Sequence, residues 1–256
     1  MMLKSDDAVS PVVAMMLVLA VVAICVSVMF ATYVPDLKEN AEILHSKEVK
    51  EEFFKFASDV DTIFANGRSG VYSYIIPLGG GDTLFSPSKS AGTIEIEDNQ
   101  IGTVIINGEE YPINLVSVSY TPLLSFWENQ GYAYENGTVY VTKETVSVSA
   151  LEGESDATDT LFTWMRPNLT RSYNDSDNIW HDFYAMNIVS VETGDSAYTS
   201  GNGDAVLKIT PEKETKRYDP LNSLIIKKGD TVLYEYPGGP DSELTITKIT
   251  AKVSVT

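Results

Sequence analysis

Asp6-Asp7-Ala8-Val9-Ser10-Pro11-Val12-Val13 opens an apolar run that continues to Val34. Between Val12 and Val34 there is no charged residue, and Cys25, Ser27, Thr32 and Tyr33 are its only polar ones. As a helix rising about 1.5 Å per residue it is roughly 35 Å long, enough to cross a bilayer with some tilt. A cleaved secretory signal has an apolar core of about 7–15 residues and then a small-x-small site. Here the core is longer, and Met29-Phe30-Ala31-Thr32-Tyr33 puts bulky side chains where small ones are needed. A lipoprotein needs a small residue before its cysteine, and Cys25 follows Ile24. The run therefore reads as a helix kept on the mature protein, with Cys25 as one of its apolar side chains.

After Pro35, residues 36–66 contain neither glycine nor proline. Leu37, Ala41, Leu44, Phe53, Phe54, Ala57, Val60, Ile63 and Phe64 recur mostly three or four apart, the pattern of an amphipathic helix with one apolar stripe. Lys38, Glu39, Glu42, Lys47, Glu48, Lys50, Glu51 and Glu52 are expected to clothe the other face, with His45 among them. Pro35 is a site for a bend. Asn66-Gly67 is a stop, because glycine accepts the left-handed conformation that ends many helices.

From Val71 the texture turns to β. Residues 93–97 and 103–106 alternate before Asn107-Gly108, a strong hairpin-turn dipeptide, and 111–120 reads as the return strand. Asn136-Gly137 marks a second hairpin between 132–135 and 138–141. Further short runs lie at 145–149, 161–165, 187–191, 205–210, 224–226, 232–236 and 244–255, with long loops expected at 122–131 and 155–177. Many short strands separated by turn signals predict an antiparallel sandwich or barrel. The expected fold class is α+β, mainly β: a long N-terminal helix, hydrophobic and then amphipathic, followed by an antiparallel β-sandwich-like head.

Acidic residues number 36 against 18 basic ones, a formal charge of −18. Nucleic-acid binding needs a basic footprint, so neither nucleic acid nor an anionic surface is expected as a partner. With Cys25 alone no intrachain disulfide can form, and the head depends on its hydrophobic core.

The segment Ala8-Val9-Ser10-Pro11-Val12-Val13-Ala14-Met15-Met16-Leu17 resembles the N-terminus of archaeal type IV pilins and pilin-like proteins. The resemblance covers about the first 35 residues. It implies a leader of residues 1–8, cut by a prepilin peptidase between Ala8 and Val9 on the cytoplasmic side. It then implies a transmembrane or filament-core helix at 9–34, its amphipathic continuation at 35–66 and an extracellular head at 67–256. Asp7 stands where the family carries a basic residue. The expected function is a non-enzymatic pilin-like subunit, held in the cell membrane by one helix and assembled into a surface filament. Its partners would be the membrane, the peptidase, the pilus assembly machinery and other pilin subunits. A head this large points to a minor or adhesive pilin. The alternative is a bitopic cell-surface protein that does not polymerise, with carbohydrate binding as one use of its head.

Three N-x-Ser/Thr sequons, at Asn136, Asn168 and Asn174, fall in expected turns or loops and are candidate N-glycosylation sites. No catalytic residue, metal site or cofactor is expected. His45 and His181 are far apart in sequence, and no Gly-x-Ser-x-Gly elbow occurs. Gly79-Gly80-Gly81 lacks the Lys-Ser/Thr of a phosphate loop and reads as a flexible connection. Asp175 and Asp177 have calcium-ligand spacing without the bending glycine or distal glutamate of an EF-hand, and Glu154, Asp156 and Asp159 fare no better. The aromatic sets Phe126, Trp127, Tyr132, Tyr134 and Trp164, Trp180, Phe183, Tyr184 are expected mainly in the core.

Overall fold

The computed structural model describes residues 11–67, 70–80, 89–124, 126–143, 146–149, 157–174 and 179–256. One helix, α1 (Pro11–Asn66), runs 56 residues with Pro35 inside it, about 84 Å at helical rise. Membrane-length run and amphipathic half are thus one element. It stops at Gly67, whose φ is 58° and whose N–H donates to the Ile63 carbonyl at 2.9 Å.

The head contains β1 (Tyr72–Pro77), β2 (Ala91–Ile106), β3 (Glu109–Leu123), β4 (Gln130–Glu135), β5 (Thr138–Lys143) and β6 (Val146–Ser149). A short helix α2 (Ala157–Trp164) follows, then β7 (Asn168–Asn174), β8 (Ile179–Thr193), β9 (Tyr198–Gly201) and β10 (Asp204–Tyr218). β11 (Leu224–Lys228), β12 (Thr231–Tyr236) and β13 (Ser242–Val255) complete it. One sheet has the order β1-β10-β13-β8-β7, the other β12-β11-β2-β3-β4-β5-β6 with β9 beside β2. Both Asn-Gly hairpins form as expected, Asn107 and Asn136 holding φ near 50°. Among the described residues the strand pairings are antiparallel except β13 with β8, which is parallel, an arrangement that strand periodicity does not reveal.

The sheets meet where β3 crosses β8, with the Asn114 N–H donating to Ser190 Oγ at 3.1 Å. The long strands change the face they bury. In β3 the buried residues are Tyr111, Ile113 and Leu115, then Val116, Val118 and Tyr120. In β13 they are Leu244 and Ile246, then Ile249, Ala251, Val253 and Val255. Side chains alternate along a strand, so each shift of parity turns the opposite face inward. One buried cluster still runs through the head and takes in Val49, Phe53, Phe56, Val60, Ile63 and Phe64 of α1.

Two expectations fail here. Residues 161–165 are not a strand: Thr158, Leu161, Phe162 and Met165 are buried at helical spacing in and just after α2. The long loop expected at 155–177 holds both α2 and β7. A four-residue apolar run fits either period, and its packing decides.

Phe56 is fully buried, its ring edge-on to Tyr74 and Tyr134 at 5.7 and 5.0 Å. Phe56→Ala is expected to lower unfolding free energy by about 3–5 kcal/mol, measured by denaturant titration of the full chain in detergent.

Candidate functional site: a helix with two free surfaces

Among the described residues nothing covers the first part of α1. Its apolar window has a mean hydropathy of 3.0 and none of it is buried, so one helix is long and apolar enough to span a membrane. Val34 is the first residue packed against the rest of the chain.

Phe53, Ala57, Val60, Ile63 and Phe64 are buried as the expected stripe requires, but its upper part is not. Leu44 is 65% exposed, and Leu37 and Ala41 are only half-buried. The buried residues are Lys38, Glu42, His45 and Ser46, followed by apolar Val49 and Phe53. The head presents polar groups at this level, and each meets a polar side chain of α1. Glu42 Oε2 accepts the backbone N–H groups of Phe126 and Trp127 at 2.9 and 2.8 Å. Lys38 Nζ lies 5.2 Å from the Phe126 ring centroid, a cation–π contact. His45 Nε2 is 2.8 Å from the Tyr120 hydroxyl, which donates to the Leu78 carbonyl at 3.2 Å. With that proton committed, His45 carries its own on Nε2 and donates it to Tyr120. Ser46 Oγ bonds the Tyr132 hydroxyl at 2.9 Å.

Gly79 and Gly80 are not a slack connection: Gly79 is packed against Ser90 and Asn202, and Gly80 belongs to this seam. A Cβ on Gly80 would lie 2.7 Å from His45 Cβ, and Gly80 exchanges hydrogen bonds with Ser90. The helix comes so close that only glycine fits beneath the imidazole.

Ala8 and Val9 lie outside the described residues, as do Glu154, Asp156, Asp175 and Asp177. Asn136 is half-buried in the β4–β5 turn and Thr138 is buried, which closes that sequon to a modifying enzyme in the folded head. Asn168 and Thr170 are exposed on β7, at the sheet edge. Asn174 ends β7 by its backbone, and the rest of its sequon lies outside the described residues. Asp159 pairs with Lys228 at 2.8 Å.

The aromatic sets divide. Tyr132, Tyr134 and Tyr184 are core, and Trp164 packs against it half-buried. Phe126 is exposed beside Lys38, and Trp127 is half-buried. Trp180 (58% exposed) and Phe183 (39%) are at the surface, contrary to expectation; at Trp180 β8 pairs with β7, while β13 joins β8 from Asp182 onward.

Among the described residues no group of three or more His, Cys, Asp or Glu is placed to hold a metal. A polar cluster joins Lys216, Glu109, Tyr111 and Tyr218, with Lys216 Nζ 2.6 Å from Glu109 Oε2. Hydrogen bonding to Glu109 and the two hydroxyls holds the ammonium well above its ordinary range, so it stays charged rather than acting as a nucleophile. A cavity of about 290 Å³ beside α2, lined by Asp159, Phe162, Arg166, Ile226 and Tyr234, is shallow and open. No family model, curated protein or solved structure matches the chain.

Removing the Glu42 carboxylate strands two backbone donors. Glu42→Ala is expected to cost about 1–3 kcal/mol and to open residues 122–131 to proteolysis, read by limited digestion and mass spectrometry. Burial lowers the His45 pKa below its ordinary 6.5, with Glu42 opposing that shift. A depressed histidine adds stability above its unfolded pKa and loses it as pH falls toward the folded one. The His45 ring should therefore titrate by NMR below 6.5, and His45→Gln should flatten the fall of stability under mild acid.

Proposed function

We propose that the chain is a pilin-like subunit, inserted in the membrane through α1, trimmed between Ala8 and Val9, and assembled into a surface filament by packing α1 against its neighbours. The observation that carries this reading is the second free surface of α1. Beyond exposed Phe30 and Tyr33 at the end of the membrane-length run, half-buried Leu37 and Ala41 and exposed Leu44 continue an apolar strip along the flank of the head contact. A simple anchor has no use for an apolar stripe at the level where the head is already docked. A subunit whose helices bundle does, because bundling removes that stripe from water. The driving force is burial, and the subunit itself supplies no catalytic group. The head, carried outside the membrane, would display its surface along the filament, as a minor or adhesive pilin does. A bitopic protein that never polymerises is the second reading, since an uncovered membrane-length helix serves an anchor equally well.

Mass spectrometry of the protein from its native envelope separates the two. A mature start at Val9 is expected, showing that the peptidase accepts Asp7 before its small residue; an intact start would sink the filament reading. Leu44→Asp is expected to change unfolding free energy by less than about 0.5 kcal/mol, because the side chain is exposed, while abolishing filaments by electron microscopy.

A further inference from the structure

The β7–β8 ribbon carries three successive cross-strand pairs on one face. Tyr173 faces Trp180, Arg171 faces Asp182, and Leu169 faces Tyr184. Successive pairs on one face lie about 7 Å apart, so Trp180 and Tyr184 are about 13 Å apart. The outer pair is aromatic, with ring centroids 5.1 Å apart, Trp180 58% and Tyr173 44% exposed. The middle pair is a bidentate ion pair, with Arg171 Nε and Nη2 at 2.7 and 3.2 Å from the two Asp182 oxygens. The inner end is closed: Tyr184 belongs to the core and lies 4.9 Å from half-buried Tyr236, whose hydroxyl bonds Ser242 Oγ at 2.7 Å.

An exposed aromatic pair beside a paired charge is a definite chemical pattern. The exposed rings offer flat faces to C–H groups. Arg171 keeps N–H donors beyond the two given to Asp182, and the carboxylate keeps free lone pairs, so the middle of the strip both donates and accepts. The two charges cancel, leaving no net charge to attract an ion. In a chain of net charge −18 a polyanion is also repelled. A pyranose has a C–H face, a rim of hydroxyls that donate and accept, and no charge. The exposed part of the strip covers two successive pairs, about 7 Å, and lies open on the ribbon, so it can seat a short stretch of an extended sugar chain.

We propose that this face of β7–β8 is a binding platform for a neutral oligosaccharide or polysaccharide, with Trp180 and Tyr173 as stacking residues and Arg171–Asp182 as the hydroxyl-recognising pair. It is independent of whether α1 polymerises or only anchors.

The test uses the full chain in a detergent without a sugar headgroup. Cellopentaose, mannopentaose and N-acetylated chitopentaose are the neutral probes, polygalacturonate is the anionic one, and tryptophan fluorescence and calorimetry are the readouts. At least one neutral probe is expected to bind saturably below about 10 mM and to perturb tryptophan emission. Trp180→Ala and Tyr173→Ala should each weaken it about tenfold, and Trp180→Phe should restore part of the loss. Phe183→Ala, on the reverse face, should leave binding unchanged. Circular dichroism checks the fold of each variant, and Tyr173→Ala is decisive alone if Trp180→Ala does not fold. Failure of all three neutral probes, binding of polygalacturonate in their place, or binding that survives the ring deletions would overturn the proposal. So would a Trp180-dependent dimer with no sugar binding, which would make the strip a protein interface.

Discussion

The seating of α1 on the head is the constraint on which the rest depends. Seven of its side chains from Val49 to Phe64 are buried, and Val49, Phe53, Phe56, Val60, Ile63 and Phe64 are wholly so. Each such side chain contributes about 1.5–3 kcal/mol, so this lower stretch holds the helix in place. The polar stretch above it works differently. Its hydrogen bonds add only about 0.5–1.5 kcal/mol each, but leaving one unmade in the seam costs more than making it gains. Glu42 beneath two backbone N–H groups and His45 against Tyr120 therefore fix the rotation of the helix more than they hold it. Turning α1 about its axis would bury Leu44 against hydroxyls and amides and strand those groups.

That rotation gives the helix its unusual division of labour. In most surface helices the apolar stripe faces inward and the charged side faces water. Between Leu37 and Ser46 this helix commits Lys38, Glu42, His45 and Ser46 to the head, keeps Glu39 and Asn40 in water, and leaves Leu37, Ala41 and Ile43 half-buried and Leu44 exposed. Water is a poor environment for that surface, and the defect is continuous with the bare apolar helix that precedes it. One hydrophobic surroundings, whether bilayer or helical bundle, would satisfy both. The head shares one buried core with the lower half of α1, and no disulfide joins the described residues.

Legibility from sequence followed the range of the forces involved. The apolar run, the Gly67 stop and the Asn-Gly hairpins depend on a residue and its near neighbours, and all three could be read directly. Leu161-Phe162 and Met165 could not, because so short a run satisfies helix and strand periods alike until α2 has something to pack against. Leu37, Ala41 and Leu44 misled for a related reason. Hydropathy marks a stripe as apolar, but the partner surface decides whether it is covered, and here that surface bears Tyr120, Tyr132 and the Phe126–Trp127 amides. Trp180 was taken for core because indole usually is; it stands on β8 ahead of the stretch that pairs with β13, which begins at Asp182, and is exposed.

The sequence by itself determined a membrane-length helix, a β-rich head, a strongly acidic charge and the absence of any disulfide framework, since composition and short-range periodicity are enough for each. Tertiary structure alone decided the parallel pairing of β13 with β8, the face of α1 that meets the head, the glycine beneath His45 and the exposed rings of β7–β8. Each of these joins residues far apart in the chain, and the free energy that fixes them comes from surfaces that exist only once the strands have paired.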